Sequence, residues 1–343
     1  MKKINAVQVA APHDLRVIEM DMPRLTEEDN VLVKLTAVGL CGSDLGIYHG
    51  TNAAAVYPRV IGHEIVGVVA EVGPTATKVK PGDRVIVDQV TACGHCYACR
   101  HNRPNVCRSL KVRGVHIDGG LREYIAVPDR DCYLLPEGLR DVDAVLIEPT
   151  TIALQACSRA ELNEEDEVLI YGAGALGSRM LSVARLSGAR IICADIVDAR
   201  LEDALRSGAY AAVNPAREDL AARLRELTTE GYGPTLSIDC ACTADSLGTL
   251  IGVTGNAGRV ITMGFSVSPT AVTQFGITSK ELDIRGSRLQ NRKFQQAIDL
   301  VKAGQIDLDH RTSHYYPFRE AQKAVDFADT HDPSIKKIVF TFD

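Results

Sequence analysis

The amino-acid sequence predicts an α/β protein that combines a β-rich domain with a doubly wound, parallel-sheet domain. In the first 150 residues, short β-branched segments alternate with glycine, proline and aspartate, as in sheets with tight turns. From about residue 151, apolar strands alternate with helical segments, a pattern typical of βαβ units on a parallel sheet. A length of 343 residues also exceeds that of one ordinary domain.

The β-rich region contains several short segments with strand character. Residues 31–35 and 65–69 are rich in valine, leucine and isoleucine, and residues 84–87 follow a Pro-Gly-Asp turn at 81–83. No long helical period appears before residue 150. We therefore expect mainly strands and turns in this region.

The second region predicts alternating strands and helices. Predicted strands are 168–171, 190–194, 211–213, 236–239 and 259–263. Predicted helices are 178–186, a segment ending near 206, and 218–227. The chain closes with a predicted helix at 294–302, stopped by Gly304, and a strand at 338–340.

Composition limits the possible functions. Hydrophobic residues make up 45% of the chain, which is enough for buried cores and opposes global disorder. The net charge of −6 opposes a nucleic-acid or anionic-membrane partner, since either needs a basic surface. No apolar segment approaches the ~20 residues of a membrane span, and the N-terminus lacks a signal-peptide pattern. We expect a cytoplasmic protein that binds neither nucleic acid nor membrane.

A glycine-rich turn predicts a dinucleotide site. Gly172, Gly174 and Gly177 form G-x-G-x-x-G between a predicted strand and helix, where the second glycine lets the backbone approach a pyrophosphate. Asp195 ends the next strand, where an acid bonds the ribose hydroxyls of NAD and repels a 2′-phosphate. Arg200 is a candidate for stacking on adenine. The alternatives are an ordinary βα turn, a helix-capping Asp195 and a solvated Arg200.

Four of the ten cysteines lie close together in the chain. Because stable disulfides are rare in a reducing cytosol, such a cluster predicts metal binding. Zinc favours closed tetrahedral thiolate coordination, which leaves no position for substrate. We therefore expect a structural zinc lobe at about 90–110, held by Cys93, Cys96, Cys99 and Cys107. Free or redox-active thiols and an iron–sulfur cluster are the alternatives.

Three further residues are candidate metal ligands. Cys41 lies in a predicted turn after a strand, and His63 and Glu64 follow Gly62, where a glycine lets a metal approach the backbone. From the residues alone, each has an equally good structural interpretation as a buried thiol, a hydrogen-bonded histidine or part of a turn capped by Asp44.

The motifs together resemble one known family. GHEIVGVV at 62–69, Gly73, and PGDRV at 81–85 resemble the signature of zinc-containing medium-chain alcohol and polyol dehydrogenases, and the cysteine cluster and glycine turn follow in that family's order. The resemblance covers nearly the whole chain. It implies a GroES-like catalytic domain at 1–150 and 290–343, and a Rossmann NAD-binding domain at 151–289.

The resemblance also implies two zinc ions per chain, one structural and one catalytic. It implies that Cys41, His63 and either Glu64 or Glu148 hold the catalytic zinc, with water or substrate in the open position. The choice between the two glutamates stays open, and exchange between them is a further alternative.

Ser43 matches the hydroxyl residue that begins the family's proton relay. Many relatives have histidine where this chain has Gly46. His49 is the candidate to replace that relay histidine. The alternatives are that protons leave through water and that His49 is an ordinary histidine of a surface loop. The missing histidine is also the one feature that favours a non-catalytic, NAD-binding regulatory protein.

A closer resemblance concerns the substrate. YPRVIGHE at 57–64, GVHIDGG at 114–120 and IRGSR at 284–288 resemble the starvation-sensing RspB-type proteins and hexonate 5-dehydrogenases. This implies oxidation of the C5 hydroxyl of a sugar acid such as L-gulonate, L-galactonate or L-idonate, with Arg288 and His116 as candidate substrate residues. Polyol and L-threonine dehydrogenases are the alternatives.

Two smaller expectations complete the interpretation. Arg113 is either a residue lining the same cleft as His116 or, as the simpler interpretation, an exposed loop charge. The family resemblance also implies a homodimer or homotetramer formed through the Rossmann domain.

Overall fold

The structure is a computed structural model that describes residues 2–26, 31–309 and 311–342. The chain forms two compact units. The first consists of Met1–Pro149 and Phe294–Asp343, and the second consists of Thr150–Lys293.

Strands and helices are numbered here in chain order. The strands are β1 Lys3–Ala11, β2 Asp14–Asp21, β3 Val31–Gly39, β4 Arg59–Val60, β5 Glu64–Val72, β6 Arg84–Val87, β7 Val90–Thr91, β8 Lys111–Val112, β9 Tyr124–Val127, β10 Cys132–Leu134, β11 Glu167–Tyr171, β12 Arg190–Ala194, β13 Ala211–Val213, β14 Leu236–Asp239, β15 Arg259–Thr262, β16 Asp283–Gly286, β17 His314–Pro317 and β18 Ile338–Thr341. The helices are α1 Gly42–Tyr48, α2 Tyr97–Arg100, α3 Asp141–Ala144, α4 Ile147–Ala160, α5 Ala175–Ala184, α6 Asp198–Arg206, α7 Leu220–Leu227, α8 Ser246–Val253, α9 Gln274–Thr278, α10 Phe294–Lys302 and α11 Ala321–Ala328.

The first unit is built on a sheet with the strand order β10-β6-β5-β3-β18-β17, in which β9 also pairs with β3. Smaller sheets join β2, β1 and β4, and β7 with β8. Most residues of β3 and the first half of β5 are buried, as their apolar sequences predict. This sheet matters for the site because β5 and β18 both pair with β3 near Gly39.

The second unit is a parallel sheet with the order β13-β12-β11-β14-β15-β16. The strand order reverses between β11 and β14, the position where doubly wound sheets bind ligands beyond their carboxyl ends. One face of the sheet packs in a core that includes Leu169, Ile192, Val213, Leu224 and Val260. The predicted combination of a β-rich domain with a doubly wound domain is therefore confirmed.

Two local features go beyond the sequence predictions. Cys41 lies after β3 as expected, but the segment expected to be a turn continues as α1, with Cys41 at its N-cap position. Helix α4 was not among the predicted elements. Pro149 stands in the first turn of α4, where its missing N–H leaves no hydrogen bond unmade. The β-branched Thr150 and Thr151 lower the local helix propensity, so tertiary packing must supply much of the stability of α4.

None of the helices in the described ranges is long and apolar enough to span a bilayer.

Candidate active site

Three candidate ligands meet in the first unit. Cys41 precedes α1, His63 precedes β5, and Glu64 is the first residue of β5. One ligand atom from each of these side chains lies within 4.8 Å of the others. The structure thus brings together three side chains that the sequence identified only as separate candidate ligands.

Asp44 joins the two segments that carry these ligands. Its buried carboxylate accepts hydrogen bonds from the Cys41 backbone N–H at 3.0 Å and from the Gly62 N–H at 3.1 Å. Gly62 has φ of +90°, and a Cβ there would lie 2.8 Å from Val38 Cγ1. Asp44 therefore has the capping role considered for it, and the same side chain also holds the backbone at Gly62, directly before His63.

His63 lies between Asp44 and Ser43. Its Nδ1 is 3.4 Å from Asp44 Oδ1, and its Nε2 is 3.4 Å from Ser43 Oγ. Burial by itself would lower the pKa of His63, but the Asp44 and Cys41 anions outweigh burial and hold that pKa well above its usual value. The pocket therefore favours a positive charge among these groups.

Cys41 shows the complementary effect. Burial raises the pKa of its thiol, but the neighbouring His63 and Lys337 cations prevail, and the net pKa is below its ordinary value. A thiolate, an imidazole and a carboxylate are ligands that zinc prefers, and three protein ligands leave one position open. This donor set fits a catalytic zinc ion.

The two candidate glutamates have different partners. Glu64 is 1% exposed, and its Oε1 accepts a hydrogen bond from the Lys337 ammonium group. Glu148 Oε1 accepts a hydrogen bond from the amide of Gln89, and burial raises the pKa of Glu148 to about 8. Among the described residues, Glu64 and not Glu148 belongs to the close group with Cys41 and His63.

Sequence reasoning missed Gln89 and Lys337, although both side chains are buried against the candidate ligands. Lys337 is separated from Glu64 by 273 positions, and nothing in its local sequence indicates burial. Asp44 was noticed only as a cap, because its contact with His63 arises in three dimensions.

The sulfurs of the four cysteines in the lobe lie within 4.8 Å of one another. The Cys96 sulfur lies 3.6 Å from that of Cys99 and 3.8 Å from that of Cys107, which lies 3.4 Å from that of Cys93. A tetrahedral zinc with Zn–S bonds of about 2.3 Å separates its sulfurs by about 3.8 Å. Backbone N–H donors from Arg108 and Cys99 lower the pKa of Cys96 to about 6, which favours the thiolate. The lobe fits a structural zinc.

The glycine turn in the second unit joins β11 to α5. Gly172 has φ of +100°, and a Cβ there would lie 2.6 Å from the Ala241 backbone nitrogen. A Cβ on Gly177 would lie 1.9 Å from the Gly172 carbonyl oxygen. Helix α5 can therefore approach β11 this closely only because residue 177 has no side chain. A Cβ on Gly174 would meet only Arg200 Nη1, at 3.9 Å, so there is open space beside Gly174 at the N-terminus of α5.

Asp195 follows β12 and is tied to that turn. Its Oδ2 accepts a hydrogen bond from the Ala173 N–H at 2.7 Å, and its Oδ1 accepts one from Val197 at 2.9 Å. Val197, not Asp195, is the N-cap residue of α6. The Arg200 guanidinium lies 3.6 Å from Asp195 Oδ2. Both predicted cofactor residues therefore lie beside the glycine turn.

His49 has a partner outside the ligand cluster. Its Nε2 lies 2.9 Å from Asp329 Oδ1, and its side chain is partly exposed. Near Gly46, a Cβ would meet Thr51 Oγ1 at 3.4 Å, an ordinary contact, so the structure has room for a side chain there. The Ser43 hydroxyl thus contacts His63, whereas the His49 ring forms its hydrogen bond with Asp329.

The candidate substrate residues lie in separate units. His116 belongs to a loop whose Gly114 and Gly119 pack on the carbonyl of Gly62, next to His63, and its Nδ1 accepts a hydrogen bond from the Val112 N–H. Arg288 follows β16 in the second unit, with its guanidinium 5.6 Å from the Phe265 ring.

The interpretation of Arg113 as an exposed charge was wrong. Its side chain is buried and donates a hydrogen bond at 2.9 Å to Asp131. A buried carboxylate that faces it explains why the charge is tolerated inside the unit.

Family models match both units. The model for the alcohol dehydrogenase GroES-like domain matches residues 27–137, and the model for zinc-binding dehydrogenases matches residues 175–303. Relatives at least 30% identical span almost the full chain. The chain therefore belongs to the zinc-containing alcohol dehydrogenase family, and it is an oxidoreductase that acts on small molecules with a nicotinamide cofactor.

Three individual comparisons are informative. The starvation-sensing protein RspB of Escherichia coli (strain K12) is 40% identical over 342 residues, with 99% of each chain covered. L-galactonate-5-dehydrogenase of the same strain is 30% identical over 347 residues, with 100% of each covered. The crystal structure of rspB from E. coli CFT073, complexed with NADH, has a TM-score of 0.93, 39% identity and 99% coverage of both chains.

Proposed function

We propose that this protein oxidises the C5 hydroxyl of a hexonate to a ketone, with NAD as the acceptor. The buried group of Cys41, His63 and Glu64, with ligand atoms within 4.8 Å, carries the proposal of a catalytic metal. When bound, zinc acts as a Lewis acid on the substrate hydroxyl, and the nicotinamide ring accepts the hydride.

The protein side chains supply positioning and a proton route. Asp44 backs the Nδ1 side of His63, so that Nε2 faces Ser43. The Ser43 hydroxyl can accept the proton released by the substrate alcohol and pass it on to water. His49 remains a candidate for the outer end of this route, although its contact with Asp329 favours a surface role.

NAD is favoured over NADP by Asp195. A buried carboxylate beside the glycine turn repels the 2′-phosphate of NADP and can accept hydrogen bonds from the ribose of NAD. Arg200 weakens this preference because its guanidinium lies near the same carboxylate. The relative rspB was crystallised with NADH, which agrees with this choice.

The hexonate is proposed from the likeness to L-galactonate-5-dehydrogenase over the full chain. The substrate carboxylate needs a cation, and Arg288 and His116 are the candidates. A polyol is the second candidate, because a sorbitol dehydrogenase from Bombyx mori is also 30% identical over 92% of this chain.

The test is reduction of NAD and of NADP with a panel of L-galactonate, L-gulonate, L-idonate, sorbitol, galactitol and L-threonine. We expect fastest turnover with a hexonate and NAD. Cys41→Ala should abolish turnover, whereas the control Cys157→Ala, which removes a thiol of the second unit, should retain it. Turnover only with polyols or threonine would overturn the substrate. Binding of NADH without any turnover would favour the regulatory alternative.

We also propose that the protein is a homodimer or homotetramer. Strand β16 lies at one edge of the parallel sheet, and Phe265, Val267 and Phe275 of the same unit are 68%, 84% and 81% exposed. Light scattering after size-exclusion chromatography gives the molar mass directly, and a monomer would refute this proposal.

A further inference from the structure

Lys337 is a buried cation beside the candidate metal site. Its side chain is 5% exposed, and its ammonium group forms an ion pair with Glu64, whose side chain is 1% exposed. A buried lysine is costly unless an anion and hydrogen bonds compensate it. Because burial of this ion pair is costly, its presence indicates a function that requires a cation beside Glu64.

The strand register explains how these side chains meet. Gly39 of β3 pairs directly with Glu64 of β5 on one side and with Val339 of β18 on the other. Directly paired residues share a face of a sheet, and residues two apart on a strand also share a face. Glu64, Gly39 and Lys337 consequently lie on one face, with Gly39 in the middle.

Gly39 makes room for this pair. A Cβ on Gly39 would lie 1.8 Å from Glu64 Oε2 and 2.9 Å from Lys337 Cε. Gly39 is not among the residues with a positive φ, so backbone freedom does not explain the glycine. The Oε2 atom that occupies this space has no hydrogen-bond partner among the described residues. Gly39 thus forms a seat for the carboxylate.

The charges of the site agree with a role for the lysine. Metal ligation requires a deprotonated thiol and carboxylate, so with a metal bound Cys41, Glu64 and Glu148 would supply up to three negative charges, and both glutamates are buried. A divalent metal ion and Lys337 together supply three positive charges. Without Lys337, one buried carboxylate would be uncompensated and would gain most by binding the metal directly.

We propose that Lys337 is a positioning residue that, with the seat at Gly39, withholds the Glu64 carboxylate from the metal. Glu148 then completes the protein ligands, and the fourth coordination position stays open for substrate. Glu64 lies close enough to Cys41 and His63 to ligate, so its partner decides whether it does. This inference rests on the metal site of the proposed function.

The test uses the full chain with cobalt(II) in place of zinc. Visible absorption reports the coordination of cobalt, and azide titration reports whether a position is open. In Lys337→Met, we expect unchanged metal content but azide affinity lower by about ten-fold or more, because a tethered carboxylate competes at high effective concentration. Lys336→Met, an exposed neighbour, is the matched control and should behave as wild type.

Two further variants keep the inference testable if Lys337→Met does not fold. Gly39→Ala displaces the flexible end of Glu64 without leaving a lone charge, so it should also weaken azide binding. The double variant Lys337→Met/Glu64→Gln removes both charges and should regain wild-type azide affinity. Wild-type azide affinity in Lys337→Met or in Gly39→Ala, or loss of one metal equivalent, would overturn the role of Lys337.

The same experiment separates this inference from the proposed function. If wild-type cobalt protein shows no azide-sensitive spectrum, the metal site and the proposed function both fail. If wild type responds and the Lys337 and Gly39 variants respond equally, only the role of Lys337 fails.

Discussion

The glycine turn allows cofactor binding and folding to be separated by two nearly identical substitutions. At Gly174 an added methyl group meets only Arg200 Nη1, at 3.9 Å. At Gly177 it would lie 1.9 Å from the Gly172 carbonyl oxygen, which is backbone and cannot swing aside. We predict that Gly174→Ala impairs NADH binding with little change in stability, and that Gly177→Ala destabilises the second unit.

The magnitudes follow from these distances. For Gly177→Ala, a contact must lengthen by about 1.5 Å, an overpacking that costs about 3 kcal/mol and lowers the melting temperature by roughly 6–12 °C. For Gly174→Ala, the weaker N-cap and the stiffer unfolded chain offset one another within about 1 kcal/mol. The methyl group would hold the pyrophosphate away from the N-terminus of α5, at a cost of about 2 kcal/mol, or about 30-fold in Kd.

Calorimetric titration with NADH and thermal melting without cofactor measure the two effects. Gly252→Ala is the matched control, since a Cβ there meets nothing within 4 Å and it lies in α8 of the same unit. Gly252→Ala should leave the Kd for NADH unchanged and should not lower the melting temperature. Wild-type affinity in Gly174→Ala would refute the placement of the pyrophosphate, and an unchanged melting temperature in Gly177→Ala would refute the packing argument.

Three further predictions address the metal lobe, a helix terminus and cofactor choice. Cys96→Ser should remove one zinc per chain and lower the melting temperature, whereas Cys132→Ser should keep both ions; equal zinc content in the two variants would contradict this. Lys280 donates hydrogen bonds of 2.7–3.0 Å to three carbonyls at the end of α8, so Lys280→Met should cost about 1–2 kcal/mol in urea denaturation after allowance for its partial exposure. No change would show that water replaces these bonds. Asp195→Ala should reduce the ratio of NAD to NADP affinity by about ten-fold or more, from loss of like-charge repulsion; an unchanged ratio would refute the role of Asp195.

Patterns that depend on neighbouring residues were readable from the sequence. Hydrophobic periodicity predicted five of the six strands that the described residues form in the parallel sheet, each within a residue or two, but not β16. The glycine turn could be assigned because each glycine has a steric reason that is local to one βα unit, as the contacts of Gly172 and Gly177 now show. Helix α4 was missed because its stability depends on packing rather than on a local signal.

The sequence by itself determined the fold class, the family and the residue types that could hold two metal ions. Only the tertiary structure decided which of those residues meet. The register between β3, β5 and β18 places Gly39 and Lys337 against Glu64, which is 273 positions away from Lys337 in the chain. The tertiary structure likewise buries Arg113 and places its guanidinium against the Asp131 carboxylate. The physical reason is that contacts between distant segments depend on strand register and burial, which no local pattern of residues specifies.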